Sequence, residues 1–224
     1  MARGWLPARQ AFGAIQIEKQ RGMDVNAKDT AIVFIEFQND FCKEGGALYG
    51  GTKAQIEAQG TVVNAADCIR KARGKCLTLL VPILFEQDYG DMGCAGVLGP
   101  IHSNVINTKA FQKGTWGGAI VDELKPTSQD IVVEGKRTLD AFNSSNLDFI
   151  LRANCIRNVA FCGFLTNVCV EGTARSAYDR GYKVFLLKDC CAALSAAEQT
   201  YVAQTFFPYV GEALTHSEFL NRLE

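Results

Sequence analysis

Residues Val159–Gly181 read VAFCGFLTNVCVEGTARSAYDRG, a strand that runs into a helix. The apolar run Val159–Cys162 breaks at Gly163 and gives way to helical spacing after Thr166 and Asn167. Val170, Thr173, Ala174, Ala177 and Tyr178 recur at i, i+3, i+4, i+7 and i+8, the pattern of a helix with one buried face. Asn167 is suited to cap its start, and Gly181 sits where a left-handed residue would end it. Cys169 therefore falls in the first helical turn, just past a strand. Unpaired N–H groups and the positive end of the helix dipole favour a thiolate there. A free cysteine is commonly no more than a small buried apolar residue, so position, not residue type, singles this one out.

Outward from this unit, strand and helix patterns alternate. Thr30–Phe37 (TAIVFIEF) is an almost unbroken apolar run, as expected of a central parallel strand covered on both faces. Gln55–Arg73 reads as one helix closed by Gly74, and Cys76–Phe85 as the next strand, with Pro82 near its end. Glu86–Thr115 is long and rich in glycine and polar residues, suited to a pocket lid or subunit contact. Ala119–Leu124 reads as a short helix, Asp130–Glu134 as a third strand and Asn146–Ala153 as an amphipathic helix. Arg157–Cys162 is the strand that feeds Cys169, and Tyr182–Lys188 is a fifth. Ala196–Phe207 is helical, and Val210–Leu214 has the character of a last short strand. The alternation predicts a single α/β domain over residues 30–224, doubly wound around a six-stranded, mostly parallel sheet.

Composition narrows the function. The chain has 224 residues, enough for one large domain, and a formal net charge of −1, which gives nucleic acid or a membrane surface no reason to bind. No apolar run is long enough to span a bilayer. Nine cysteines, an odd number with no secretory leader in view, favour a reducing, cytoplasmic setting over a disulfide scaffold. The two histidines, His102 and His216, have no ligand-like spacing, so no metal and no cofactor is expected. Residues 1–29 form a mildly basic extension, read as a surface or subunit-contact arm. Glu18 and the lack of serine weigh against organelle targeting.

Glu36, Lys136 and Cys169 each lie at or just past the end of a predicted strand, so a parallel sheet would bring them to one edge. A carboxylate, a cation and a thiol suffice for acyl transfer without metal. The carboxylate takes the thiol proton, the ammonium steadies the charges, and N–H groups at the helix start hold the oxyanion.

At these residues the chain resembles the isochorismatase-like cysteine hydrolase family. The marks are IEFQNDF at Ile35–Phe41, GKRTLDAF at Gly135–Phe142 and GFLTNVCVEGTARSAYDRGYKV at Gly163–Val184. The resemblance implies a six-stranded parallel sheet, a carboxylate–Lys–Cys triad, a non-proline cis peptide at Phe164–Leu165 and an oxyanion hole from the N–H groups of Leu165 and Cys169. It also implies a homo-oligomer, dimer or tetramer. The chain departs from the family in having Glu36 where Asp is usual, with Asp40 the fallback carboxylate. Nicotinamidases of this superfamily hold a metal in an Asp/His cluster, whereas the corresponding stretch here, FEQDYGDMGCAGVLGPIH, has a lone His102. The expected reaction is hydrolysis of a C–N bond in a small amide, carbamoyl or ureido compound through a thioester at Cys169. Vinyl-ether hydrolysis of isochorismate and a dimeric binding protein with a vestigial triad are the alternatives. Gln38, Trp116, Phe142, Asn167 and the Glu86–Thr115 stretch are the expected substrate contacts.

Overall fold

The computed structural model describes residues 25–92 and 99–224. The N-terminal extension lies outside the described residues except for 25–29, which pair with the C-terminal tail through a Val25–Leu223 bridge. Six strands form one sheet: β1 (Thr30–Ile35), β2 (Leu77–Val81), β3 (Asp130–Val132), β4 (Asn158–Phe164), β5 (Lys183–Ala192) and β6 (Gly211–Leu214). Every pairing is parallel, and the order is β3-β2-β1-β4-β5-β6. All six residues of β1 are buried, so side chains on both pleat faces are covered.

The helices are α1 (Asn39–Cys42), α2 (Tyr49–Gln59), α3 (Thr61–Ala72), α4 (Pro100–Thr108), α5 (Ala141–Ser144), α6 (Leu147–Ala153), α7 (Glu171–Asp179), α8 (Ala196–Tyr201), α9 (Phe207–Val210) and α10 (His216–Leu220). They fall into two layers. Helix α3 packs on β2, β5 and α10, while α7 packs on β5, α5 and α9. This is the doubly wound α/β arrangement, with the sheet wholly rather than mostly parallel.

Several boundaries differ from the sequence reading for local reasons. The stretch Gln55–Arg73 is two helices, because Gly60 adopts φ +67°, ending α2 and turning the chain into α3. Helix α4 occupies part of the Glu86–Thr115 stretch, started by Pro100 at its first turn. Ala119–Leu124 contains only the short 3₁₀ turn Asp122–Leu124. Strand β5 continues four residues past Lys188, because a register shift between Phe161 and Gly163 of β4 lets Cys191 and Ala192 pair with Gly163 and Phe164. Asn167 does not cap the helix. A wide π-type turn, Thr166–Val170, begins directly after Leu165 with no side-chain cap and leads into α7. Tyr178 is half-exposed, so the buried face of α7 is narrower than its spacing suggests.

Candidate active site

The strand order reverses between β1 and β4, where the chain winds outward in both directions, and ligands of open α/β sheets bind at such points beyond the carboxyl ends of the strands. Glu36 follows β1 there. Its φ of +56° is uncommon for a residue with a side chain and costs on the order of 1–3 kcal/mol. The N–H of Glu36 donates to Val81 O at 3.0 Å, and its carbonyl accepts from Gln38 N at 2.8 Å, which holds the strained residue in place. Across the strand pair, Gly163 has φ +124°, and a Cβ at that position would lie 1.9 Å from Ile35 O. Only glycine lets β4 close on β1 this tightly, and the approach brings the Cys169 turn beside Glu36.

Lys136 arrives from the loop after β3. It is fully buried and forms an ion pair with Glu36, itself 2% exposed. Its ammonium also donates to Thr138 O at 2.6 Å. The loop is fastened by Ser144, whose Oγ accepts from the N–H groups of Arg137 (2.8 Å) and Thr138 (3.1 Å). It is also tied to α7: Ser176 Oγ donates to Asp140 Oδ2 at 2.6 Å, and Ala141 N donates to Thr173 Oγ1 at 3.1 Å. Thr173 Oγ1 in turn donates to Cys169 O at 2.7 Å, so one hydroxyl links the lysine loop to the cysteine turn.

The Cys169 thiol shares the cavity with Glu36 and Leu165, near enough for the carboxylate to act on its ionisation. The Phe164–Leu165 peptide bond is cis. Burial pushes the thiol up, the Glu36 carboxylate pushes it further, and Lys136 only partly opposes them. For Lys136, burial alone would lower the ammonium, but the charges of Cys169 and Glu36, the bond to Glu36 and Asp140 outweigh it and raise it. The direction is opposite to the one that the helix-start position alone would favour. A raised thiol makes alkylation climb with pH, tenfold per unit across pH 6–9, as the thiolate fraction does. Iodoacetamide at pH 7 is therefore expected to label exposed Cys155 ahead of Cys169. Peptide mass spectrometry along a pH series checks this, and dominant labelling of Cys169 at pH 7 would overturn it.

Glu36 and Cys169 open into a cavity of about 520 Å³. Its walls come from α1 (Phe41), the start of α2 (Leu48, Gly50, Gly51), the segment after β2 (Ile83, Phe85), α4 and the Cys169 turn (Leu165, Val168). Ile101, Asn104, Val105 and Thr108, at i, i+3, i+4 and i+7, are the cavity-facing stripe of α4. That spacing and the Gly-Pro start were visible in the sequence, but the stretch read as a loop. His102 also lines the cavity, with Nε2 3.2 Å from Arg137 O.

The four other polar and aromatic positions expected at the substrate lie elsewhere. Gln38 is fully buried, and its amide spans the sheet edge, donating to Ile83 O and Gly118 O at 2.8 Å and accepting from Ile83 N at 2.9 Å. Trp116 is 56% exposed with its ring edge against Gly45. Phe142 is buried against Tyr182 and under the Arg180 guanidinium, 4.6 Å from its ring. Asn167 donates to Glu198 at 3.1 Å, and its Oδ1 is buried without a partner. Asp40 is spent on loop backbone, accepting from Ala47 N (3.0 Å) and Phe111 N (2.7 Å), so Glu36 is the carboxylate beside Lys136. Among the described residues, the one cluster of potential metal ligands is Asp189, Cys190 and His216, outside this cavity. There His216 already bridges Asp189 (2.6 Å) and Asp67 (3.1 Å). Among the described residues no helix is long and apolar enough to cross a membrane.

The isochorismatase domain matches residues 30–218 of the chain. A ureidoacrylate amidohydrolase of Variovorax paradoxus is 33% identical over 218 residues, covering 91% of this chain and 84% of its own. A crystal structure of a cysteine hydrolase from Pseudomonas syringae pv. phaseolicola superposes with a TM-score of 0.76 at 27% identity, covering 89% of this chain and 94% of that one. The N-carbamoylsarcosine amidase of Thermoplasma acidophilum gives a TM-score of 0.63 at 26% identity, covering 84% and 96%.

Proposed function

Because the chain belongs to the isochorismatase family of hydrolases, we propose that it cleaves the C–N bond of a small amide, carbamoyl or ureido substrate through a thioester at Cys169, without a metal. The observation that carries this reading is the buried Glu36–Lys136 pair set against the Cys169 thiol at the floor of one cavity. Relatives named for amide and carbamoyl hydrolysis support the same bond class.

Glu36 accepts the thiol proton as sulfur attacks the carbonyl carbon, so the thiolate exists only as the bond forms. Lys136 keeps the carboxylate ionised until then and balances the charge passing between the two groups. The N–H groups of Leu165 and Cys169 receive the oxyanion; losing one such donor costs ~3 kcal/mol in comparable sites. Collapse of the tetrahedral intermediate expels the amine, which takes the proton from Glu36. Water then gives a proton to Glu36 and attacks the thioester. The acid leaves, and the proton returns to sulfur.

Intact-protein mass spectrometry after rapid acid quench tests the covalent step. With a turned-over amide, the protein is expected to gain the mass of one acyl group, mapped to Cys169 and absent from Cys169→Ala. Turnover with no adduct, and no burst of amine in pre-steady-state kinetics, would reject the thioester.

A further inference from the structure

The cavity's lining bears on which amide enters, an inference that rests on the amidohydrolase reading above. Its walls are Phe41, Ile83, Phe85, Val105, Leu165 and Leu194, with their kind predominating around the remainder. Among the described residues, Glu36 is the only carboxylate on the wall and its counter-charge is already committed; no lysine or arginine lines the wall, and the one imidazole there, His102, has Nε2 3.2 Å from Arg137 O. Lys136 is fully buried behind Glu36, with its ammonium on that carboxylate and on Thr138 O. The neighbouring guanidinium, Arg137, is paired with Asp91, donates to Lys136 O at 3.0 Å and lies 5.8 Å from the Phe85 ring centroid. At the rim, Thr108 donates its hydroxyl to Asn104 O at 2.8 Å.

A substrate carrying a free carboxylate would lose its water to this apolar wall, meet no lysine or arginine among the described residues there and approach the negative charge of Glu36. An apolar chain loses nothing and gains burial, and a 520 Å³ cavity is large for an amide head group alone. We infer that the substrate is a neutral amide with an apolar acyl part, a medium-chain aliphatic or arylalkyl carboxamide, and not a ureido acid with a free carboxylate.

The test measures binding and turnover separately, on the full chain. Calorimetry with Cys169→Ala compares acetamide, butanamide, hexanamide and N-carbamoyl-β-alanine; ammonia release by the wild type ranks the same compounds. Affinity is expected to rise about fourfold per added methylene, and hexanamide to exceed N-carbamoyl-β-alanine at least tenfold. Leu194→Arg, at a half-exposed position on the mouth, supplies the absent cation and is expected to raise N-carbamoyl-β-alanine binding at least tenfold. A flat chain-length series, preference for the ureido acid, no binding of any amide, or no gain from Leu194→Arg overturns the inference. If the ureido acid is the one that wild type hydrolyses, the specificity falls and the amidohydrolase reading stands. If hexanamide binds as expected but no compound releases ammonia, the reading of the reaction fails and the specificity stands.

Discussion

Cys169→Ser lowers kcat for amide cleavage by roughly 10⁴–10⁶-fold, the scale seen when a hydrolase loses its nucleophile. A serine hydroxyl is far harder to ionise than a thiol, and Glu36 is too weak a base to carry an alkoxide. The protein should otherwise survive the change. Cys169 is 5% exposed, and exchanging sulfur for oxygen leaves the turn's hydrogen bonds, including Thr173 to the Cys169 carbonyl, in place. Ammonia release with a fluorometric or coupled assay, beside circular dichroism of the variant, checks both halves. Activity within tenfold of wild type would remove the thioester from the mechanism. Vinyl-ether cleavage, which needs an acid and not a nucleophile, would survive this substitution.

The second large effect is on stability. Lys136→Met is expected to destabilise the fold by about 3–5 kcal/mol, because it leaves the Glu36 carboxylate buried without its cation. The two groups are 0% and 2% exposed, so water cannot make up the loss. Lys136→Met combined with Glu36→Gln should recover much of the deficit, since the buried charge is gone as well. The pH dependence has a definite sign. An ammonium held above its ordinary value contributes stability at every pH below the unfolded value of about 10.4, and loses it only as pH climbs through the folded value. The wild-type advantage over Lys136→Met from this lysine should therefore persist through neutrality and shrink only in alkali. Urea denaturation at pH 7 and above pH 10 measures it; a single variant within about 1 kcal/mol of wild type would show that the pair is not the constraint described.

What could be read from residue order was the layout that depends on patterns repeated over many positions. The apolar run at Thr30–Phe37 and the helical spacing after Thr166 and Asn167 gave the strands and the alternation. Their ends then placed Glu36, Lys136 and Cys169 at one edge of the sheet. Features set by one backbone angle or one distant partner were not legible. Gly60 looks like any helix glycine until its φ of +67° divides α2 from α3. Gln38 looked like a polar contact at a strand end, yet its amide is consumed by the backbone of Ile83 and Gly118, 45 and 80 positions away. Phe142 and Trp116 carried the right chemistry for a pocket wall, but aromatic character does not say which way a ring faces. The dipole of a helix start is local and legible, whereas the burial that pushes the Cys169 thiol the other way comes from distant residues.

Glu36 and the Cys169 turn hang from the two strands that share the ladder Thr30–Ile35 with Asn158–Gly163, in the middle of the sheet. Such a centre has no hinge of its own. Both residues are anchored in buried backbone at that centre, so separating them would disturb the ladder that joins the two strands. If the proposed chemistry holds, selection falls to the entrance, where α4 and the first turn of α2 wall the cavity.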